Sequence, residues 1–444
     1  MTAGAGDAAR TTGDIGDVAA GTTLAIDAIA LDAAGLAATF GTPLYVYDLD
    51  VVARRVSALR SVLPRSFSLA YAVKANPSLA VVAHLASLGL GADVASRGEL
   101  ATVLRAGMDP GRVIVTGPGK TADEHRAAVR ARVRAITVES PGELERLERV
   151  AAEERHVVPV LLRASVADAD RPERLRIIGD AGAGKFGMDA DDLRLAARAA
   201  AGSCHVDLLG IHRFGASNVT DAAALSAHVA ATVELARDVL GGTGATLRVV
   251  DVGGGLGIPY GDGEPALDLG DLGTRLARLA DRWRSRSATA AIRVVVEPGR
   301  YLVGPAGLYL VRVVDRKSVA GVEVATVDGG IHHLLRPALV GQEHRLRVVD
   351  GRAIAATPPV PVTIAGPLCT GLDVFASRAP IPVPGVGDLV AVLDAGAYGF
   401  TESMPFFLSH PTPAEVVLRE GVAHLGRRRM QPEDWLAAQT LSEA

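Results

Sequence analysis

Three features of the sequence combine residue types that could act together on one substrate. Lys74 lies in AYAVKANP, and a lysine at a strand mouth can form a Schiff base with an aldehyde if desolvation lowers its pKa and frees the neutral amine. Gly253, Gly254 and Gly255, in VVDVGGGLGIPYG, allow a tight turn whose N–H groups converge on an anion such as phosphate. Glu297, in VVVEPGRY, offers a carboxylate that would keep a pyridine nitrogen protonated and so make that ring an electron sink. Arg300, just beyond it, offers a charge-assisted contact to phosphate or to a substrate carboxylate. Each has a plainer reading on its own: a solvated lysine, a flexible loop, a polar strand end. Their combination points to chemistry.

The elements that must position them are short β-branched runs, each followed by an Ala-, Leu- and Arg-rich stretch with helical spacing. The runs end near Lys74, Val94, Gly117, Glu139, Arg163, His212, Gly255 and Glu297. Eight predicted strands with seven helical segments between them, over roughly 250 residues, are the pattern of an α/β fold of the (β/α)8 TIM-barrel type. A doubly wound open sheet is the alternative. It does not explain why Lys74, Asp93, Glu139, Arg163, His212, the glycine triplet and Glu297 close the strands, whereas barrel enzymes build their sites at that C-terminal face.

After about residue 305 the rhythm changes to alternating strands divided by Gly, Asp and Pro, among them LYLVRVVDRKSV, VEVATVDGG and DLVAVLDAG. The predicted organisation is a disordered tail at 1–22 and an N-terminal segment at 23–47 whose strand joins the later sheet. The barrel follows at 48–305, a mostly antiparallel β-domain at 306–425, and a C-terminal tail at 426–444.

Composition excludes several function classes. Lys+Arg at 46 against Asp+Glu at 50 gives a net charge of −4, so no basic footprint marks a nucleic-acid or membrane-surface partner. Two cysteines, Cys204 and Cys369, argue against a disulfide framework and for a reducing compartment. No apolar run is long enough to span a bilayer, and the N-terminus lacks the charged and apolar regions of a secretory signal. The expectation is a cytoplasmic enzyme.

The ordered motifs GTPLYVYD, YAVKANP, GADVASRGEL, VESPGELERL, KFGMD, VVDVGGG, EPGRY, DGGIHHLLRPAL, GPLCTGLDVF and DAGAYGF resemble one family, the fold type III pyridoxal-phosphate decarboxylases. These include the diaminopimelate, ornithine and arginine decarboxylases and share the alanine racemase-like barrel. The resemblance implies pyridoxal 5'-phosphate as cofactor and no metal. It makes Lys74 the Schiff-base lysine, Glu297 the partner of the pyridine nitrogen, and Gly253 to Gly255, Ser217 and Arg300 the phosphate cradle. Asp93, Arg163 and His212 would orient lysine and cofactor. Tyr398 would reach the phosphate from a neighbouring subunit, and Cys369 would cross the dimer interface to act as proton donor. The active sites would thus be shared within a head-to-tail homodimer. The implied reaction is decarboxylation of an amino acid through an external aldimine, with Arg300, Arg336, Thr370 and Tyr398 touching the substrate. A racemase would place Arg where Glu297 stands. A catalytically inactive homologue acting as a regulatory binding partner is the reading from another class.

The sequence departs from the family pattern in places that bear on substrate. Phe214 replaces the histidine that stacks on the cofactor ring. Thr370 follows Cys369 where relatives carry Glu or Asp to meet the distal ammonium of a diamino acid, and Val340 follows RPAL where diaminopimelate enzymes carry Tyr. Phe406 and Phe407 make the segment 403–416 apolar. These changes resemble a divergent branch of secondary metabolism, in which the amino acid is conjugated or tethered to a carrier protein. Diaminopimelate decarboxylation in lysine biosynthesis is the alternative.

Overall fold

The computed structural model describes residues 32–165, 184–286, 289–349 and 358–441. Eight strands close on themselves in chain order: β2 (Phe67–Ala72), β3 (Gly91–Val94), β4 (Val113–Val115), β5 (Ala135–Val138), β6 (Val158–Arg163), β7 (Val206–His212), β8 (Val249–Asp251) and β9 (Arg293–Val296). Every neighbouring pair is parallel, and β9 returns to β2 through Val294 opposite Phe67. Each strand lies inside a predicted run, so the barrel is confirmed over the open sheet. The runs are mostly apolar because barrel strands are covered on both faces. Ala70, Ile114, Ala135, Leu161, Leu209, Val249 and Val295, one from each of seven strands, form a separate apolar cluster. Burying each large aliphatic among them contributes about 1.5–3 kcal/mol.

Seven helices alternate with these strands, at Leu79–Ser87, Arg97–Arg105, Ala122–Ala131, Pro141–Glu153, Ala190–Gly202, Ala222–Leu240 and Leu269–Arg284. Their starts are written in the sequence. Ser96 accepts from the Glu99 N–H, Thr121 and Glu124 form a reciprocal capping box, and Ser140 caps a helix with Pro141 in its first turn.

The second domain is a sheet ordered β14-β13-β11-β10-β1-β16-β17, with β15 joining β10 to β12. Its strands are β1 (Leu44–Asp48), β10 (Gly307–Val319), β11 (Val322–Val327), β12 (Leu346–Val349), β13 (Val360–Ala365), β14 (Val374–Ile381), β15 (Leu389–Val392), β16 (Ala414–Arg419) and β17 (Val422–Arg427). Pairing is antiparallel except for β1 with β16 and β11 with β13. β1 sits between β10 and β16, so the sheet is assembled from both ends of the chain.

Three boundaries differ from the sequence reading. The segment before β1 also carries a helix, Ala33–Phe40, which packs Leu36 and Ala37 against Leu44 and Val46. The expected sheet boundary at 425 falls inside β17, which pairs with β16 as far as Arg427 opposite Glu415. A short helix, Pro432–Leu436, then stands where a tail was expected, started by the Gln431–Asp434 capping box. The tail called at 1–22 lies outside the described residues. Among the described residues, no helix is long and apolar enough to cross a membrane.

Candidate active site

β2 ends at Ala72 and the chain turns through a short 3-10 segment, Val73–Ala75, which carries Lys74 over the barrel mouth. That turn is fixed from the second domain. The Tyr398 N–H donates to Ala75 O at 2.7 Å, and Asn76 Nδ2 donates to Gly396 O at 2.9 Å. Lys74 Nζ then lies 3.1 Å from Asp93 Oδ2 at the end of β3, with 45% of its side chain open. The other oxygen of Asp93 accepts from the Thr116 hydroxyl. The sequence reading expected desolvation to lower the lysine pKa, and the structure reverses that sign. Burial does oppose the charge, but Asp93, and behind it Glu297, outweigh it and hold the ammonium above its usual range.

The floor of the mouth is a buried cluster at the ends of three adjacent strands: His212 on β7, Asp251 on β8 and Glu297 just past β9. Glu297 Oε2 stands 3.6 Å from His212 Nε2. Glu297 Oε1, both His212 nitrogens and Asp251 Oδ2 are buried with no hydrogen-bond partner among the described residues. Burial raises the Glu297 carboxyl, but His212 and then Lys74 outweigh burial and keep it ionised. Asp251 moves the other way, raised first by burial and then by the charge of Glu297. The two acids are thus pushed in opposite directions, Glu297 toward the carboxylate and Asp251 toward the neutral acid. Sequence reasoning did not single out Asp251, although it precedes the glycine triplet as a polar residue closing a buried strand.

The glycine triplet is required at all three positions. Gly253 and Gly255 have φ of 66° and 96°. A Cβ on Gly253 would meet the Phe214 ring at 2.8 Å, one on Gly254 the Glu297 carbonyl at 2.3 Å, and one on Gly255 the Ala216 carbonyl at 2.7 Å. The turn is thus pressed against both Phe214 and the Glu297 backbone. The Phe214 ring centre is 5.9 Å from Lys74 Nζ, placing an aromatic face between lysine and turn.

Arg300 opens the helix Arg300–Val303 beside the turn. Its Nη1 donates to Tyr260 Oη at 2.6 Å, its Nη2 reaches Ser217 Oγ at 3.4 Å, and its buried Nε has no partner among the described residues. Tyr398 lies between two guanidinium groups, its ring centre 4.7 Å from Arg300 and 5.1 Å from Arg336. It was expected to arrive from a neighbouring subunit; it belongs to the same chain's site, because its own backbone is bonded to Ala75. Its φ of 54° is a left-handed conformation that a non-glycine residue holds only where the surroundings impose it. Arg163, at the end of β6, donates to Glu139 Oε1 at 2.7 Å, and Glu139 also accepts from the Gly187 N–H.

Cys369 and Thr370 are not brought to this cluster. Both lie on the turn between β13 and β14, where Cys369 is exposed and Asp373 accepts from the Leu368 and Ile331 N–H groups. Among the described residues, neither makes a hydrogen bond or ion pair with Lys74, Glu297 or Arg300 in its own chain.

The donor set fits a pyridoxal phosphate. An amine stands over the mouth, an ionised buried carboxylate keeps one oxygen unpaired below it, and a glycine turn with a guanidinium lies to one side. Comparison with known proteins agrees. The model of the pyridoxal-binding domain of pyridoxal-dependent decarboxylases matches residues 49–304. The chain is 32% identical over 418 residues to the L-glutamyl-[BtrI acyl-carrier protein] decarboxylase of Niallia circulans, covering 91% of this chain and 95% of that one. It is 35% identical over 407 residues to the diaminopimelate decarboxylase of Pseudomonas aeruginosa, covering 91% and 94%. The crystal structure of the Helicobacter pylori diaminopimelate decarboxylase complexed with L-lysine superposes with a TM-score of 0.82 at 27% identity, over 91% of this chain and 98% of that one.

Proposed function

The chain belongs to the pyridoxal-dependent decarboxylases, and from that premise we propose that its substrate is an amino acid whose distal group is acylated, amidated or thioester-linked. The class of reaction, pyridoxal-phosphate-dependent removal of an amino-acid carboxylate, follows from the family.

Bound pyridoxal 5'-phosphate supplies an electron sink for the pair released as the Cα–carboxylate bond breaks. Lys74 would hold it covalently, Glu297 its ring nitrogen, and Gly253 to Gly255 with Ser217, Arg300 and Tyr398 its phosphate. Phe214 and His212 would flank the ring. Before Lys74 can act as a nucleophile it must lose a proton, and Asp93 at 3.1 Å, by holding the ammonium, opposes that loss. Arg163, held by Glu139, lines the same mouth as a positioning group. Cys369 is exposed and Thr370 half-buried on the turn between β13 and β14, and a second copy of the chain would bring them to the mouth, Cys369 as proton donor at Cα. A head-to-tail homodimer with shared sites, working in the cytoplasm, is part of this reading.

Thr370 carries the substrate assignment. It stands beside Cys369 with a hydroxyl where a diamino acid would need a carboxylate, and an unpaired ammonium is costly to bury. The Niallia circulans relative, named for a glutamyl group on an acyl-carrier protein, is consistent with a conjugated substrate. Comparing kcat/KM for meso-diaminopimelate with that for a distal-acylated amino acid tests the assignment. Efficient diaminopimelate turnover would overturn it in favour of the activity named for the Pseudomonas aeruginosa relative.

A further inference from the structure

Arg336 starts a short helix, Arg336–Val340, and its guanidinium is already engaged within its own chain. Nη1 donates to Glu402 Oε2 at 2.8 Å and Nε donates to Gln342 Oε1 at 2.9 Å. The Gln342 amide cannot turn over freely. Its nitrogen is 2.9 Å from His344 Nε2, while His344 Nδ1 is 2.8 Å from the Leu393 carbonyl. Only a donor at Nδ1 suits a carbonyl, so the neutral ring presents Nε2 as an acceptor and takes the amide N–H. Burial lowers the His344 pKa to about 4, which keeps that tautomer at neutral pH. Gln342 Oε1 is thereby aimed at Arg336, and at 3.4 Å also at Arg300 Nη1.

Two guanidinium groups therefore flank Tyr398, and each has its own anion. Arg300 lies beside Ser217 and the glycine turn, where a phosphate would sit. Arg336 has Glu402, a carboxylate whose side chain is 31% exposed on the 3-10 turn Phe400–Glu402. A substrate arriving with a free distal carboxylate finds no unmatched positive charge at Arg336 and meets the like charge of Glu402. Like charges set together in a partly enclosed site repel and disfavour binding.

We propose that Glu402 is a specificity-determining residue: by neutralising Arg336 it selects substrates whose distal group is uncharged and excludes those ending in a free carboxylate. The inference rests on the reading above, in which Arg336 lines the substrate pocket. It adds to that reading the residue that rejects negative charge.

The test compares Glu402→Gln with wild type on two probe pairs. The first is L-glutamate against L-glutamine as substrates of the holoenzyme, read as the ratio of kcat/KM values. The second is phosphopyridoxyl-L-glutamate against phosphopyridoxyl-L-glutamine, the stable reduced conjugates, read as the ratio of Kd values on the cofactor-free full chain by fluorescence. Glu402→Gln should shift both ratios at least tenfold toward the carboxylate, and Glu402→Asp, which keeps the charge, should shift them far less. Unchanged ratios in Glu402→Gln, or equal shifts in Glu402→Asp, would overturn the inference. A wild-type protein that decarboxylates neither amino acid counts against the proposed substrate class, and the ratio of Kd values then decides the role of Glu402 alone.

Discussion

Lys74 and Asp93 form an ion pair of 3.1 Å across the mouths of two adjacent barrel strands, and the Thr116 hydroxyl holds the aspartate from the third. The lysine is thus held in its charged form.

Asp93→Asn should shift the pH midpoint for cofactor capture downward by about one unit or more, because it removes the nearest charge that holds the Lys74 ammonium. Absorbance of the bound cofactor against pH reads this directly. An upward or absent shift would mean that Asp93 does not govern the lysine.

Borohydride reduction of the cofactor-loaded protein should label Lys74 and leave Lys120 unlabelled, since Lys120 is buried against Glu143 at 2.8 Å. Peptide mapping that finds the label on any other lysine rejects the assignment.

Replacing Glu297 by Gln should lower kcat by about a hundredfold or more while cofactor still binds, since it removes the charge facing the ring nitrogen. The pH dependence of stability separates the two acids. Glu297, depressed in the fold, contributes stability above its unfolded value near ~4.3 that is lost as pH falls through about 2. Asp251 is raised in the fold, so it costs stability at neutral pH and that cost fades as pH falls toward its unfolded value near ~3.9. Asp251→Asn, which removes a charge that the fold disfavours, should therefore melt at or slightly above wild type at pH 7, with the difference shrinking by about pH 4. A clearly lower Tm at pH 7 would show that Asp251 is ionised in the fold.

Lys74→Ala and Cys369→Ala should each be nearly inactive, and mixing them should restore activity. Random exchange between two-fold dimers makes about half of them mixed, each with one intact site, so about a quarter of wild-type activity should return. Persistent inactivity after proven subunit exchange would dispose of the shared site.

The barrel was legible because each of its strands is a compact apolar run ending in a polar or glycine residue, and the closed order places those ends on one rim. Lys74, Asp93, His212 and Glu297 were legible for the same reason, and the cluster at the rim is what the sequence pattern implied. Properties set by distant partners were not legible. The sign of the Lys74 pKa depends on Asp93 and Glu297 acting together against burial, which neither motif shows alone. Glu402 lies just before an apolar segment and meets Arg336 across 66 positions of sequence, with no local pattern to announce the pair. Tyr398 carries the same motif whichever subunit it serves, and only its backbone bond to Ala75 decides the matter. The helix at 432–436 had its signature in Pro432, Glu433 and Asp434, but five residues are too few for a periodic pattern.

The central position of β1 has a consequence for how the protein is made. Its five residues, LYVYD, are all buried in the finished sheet, yet both neighbours lie far downstream. At roughly 5–20 residues per second, synthesis leaves this strand waiting on the order of tens of seconds for Leu310 to emerge, and longer for Ala414. Every barrel strand is complete once Val296 has been added. A nascent chain at residue 304 therefore carries all of the barrel strands together with an apolar strand that has neither of its partners, which is where a chaperone would find something to hold.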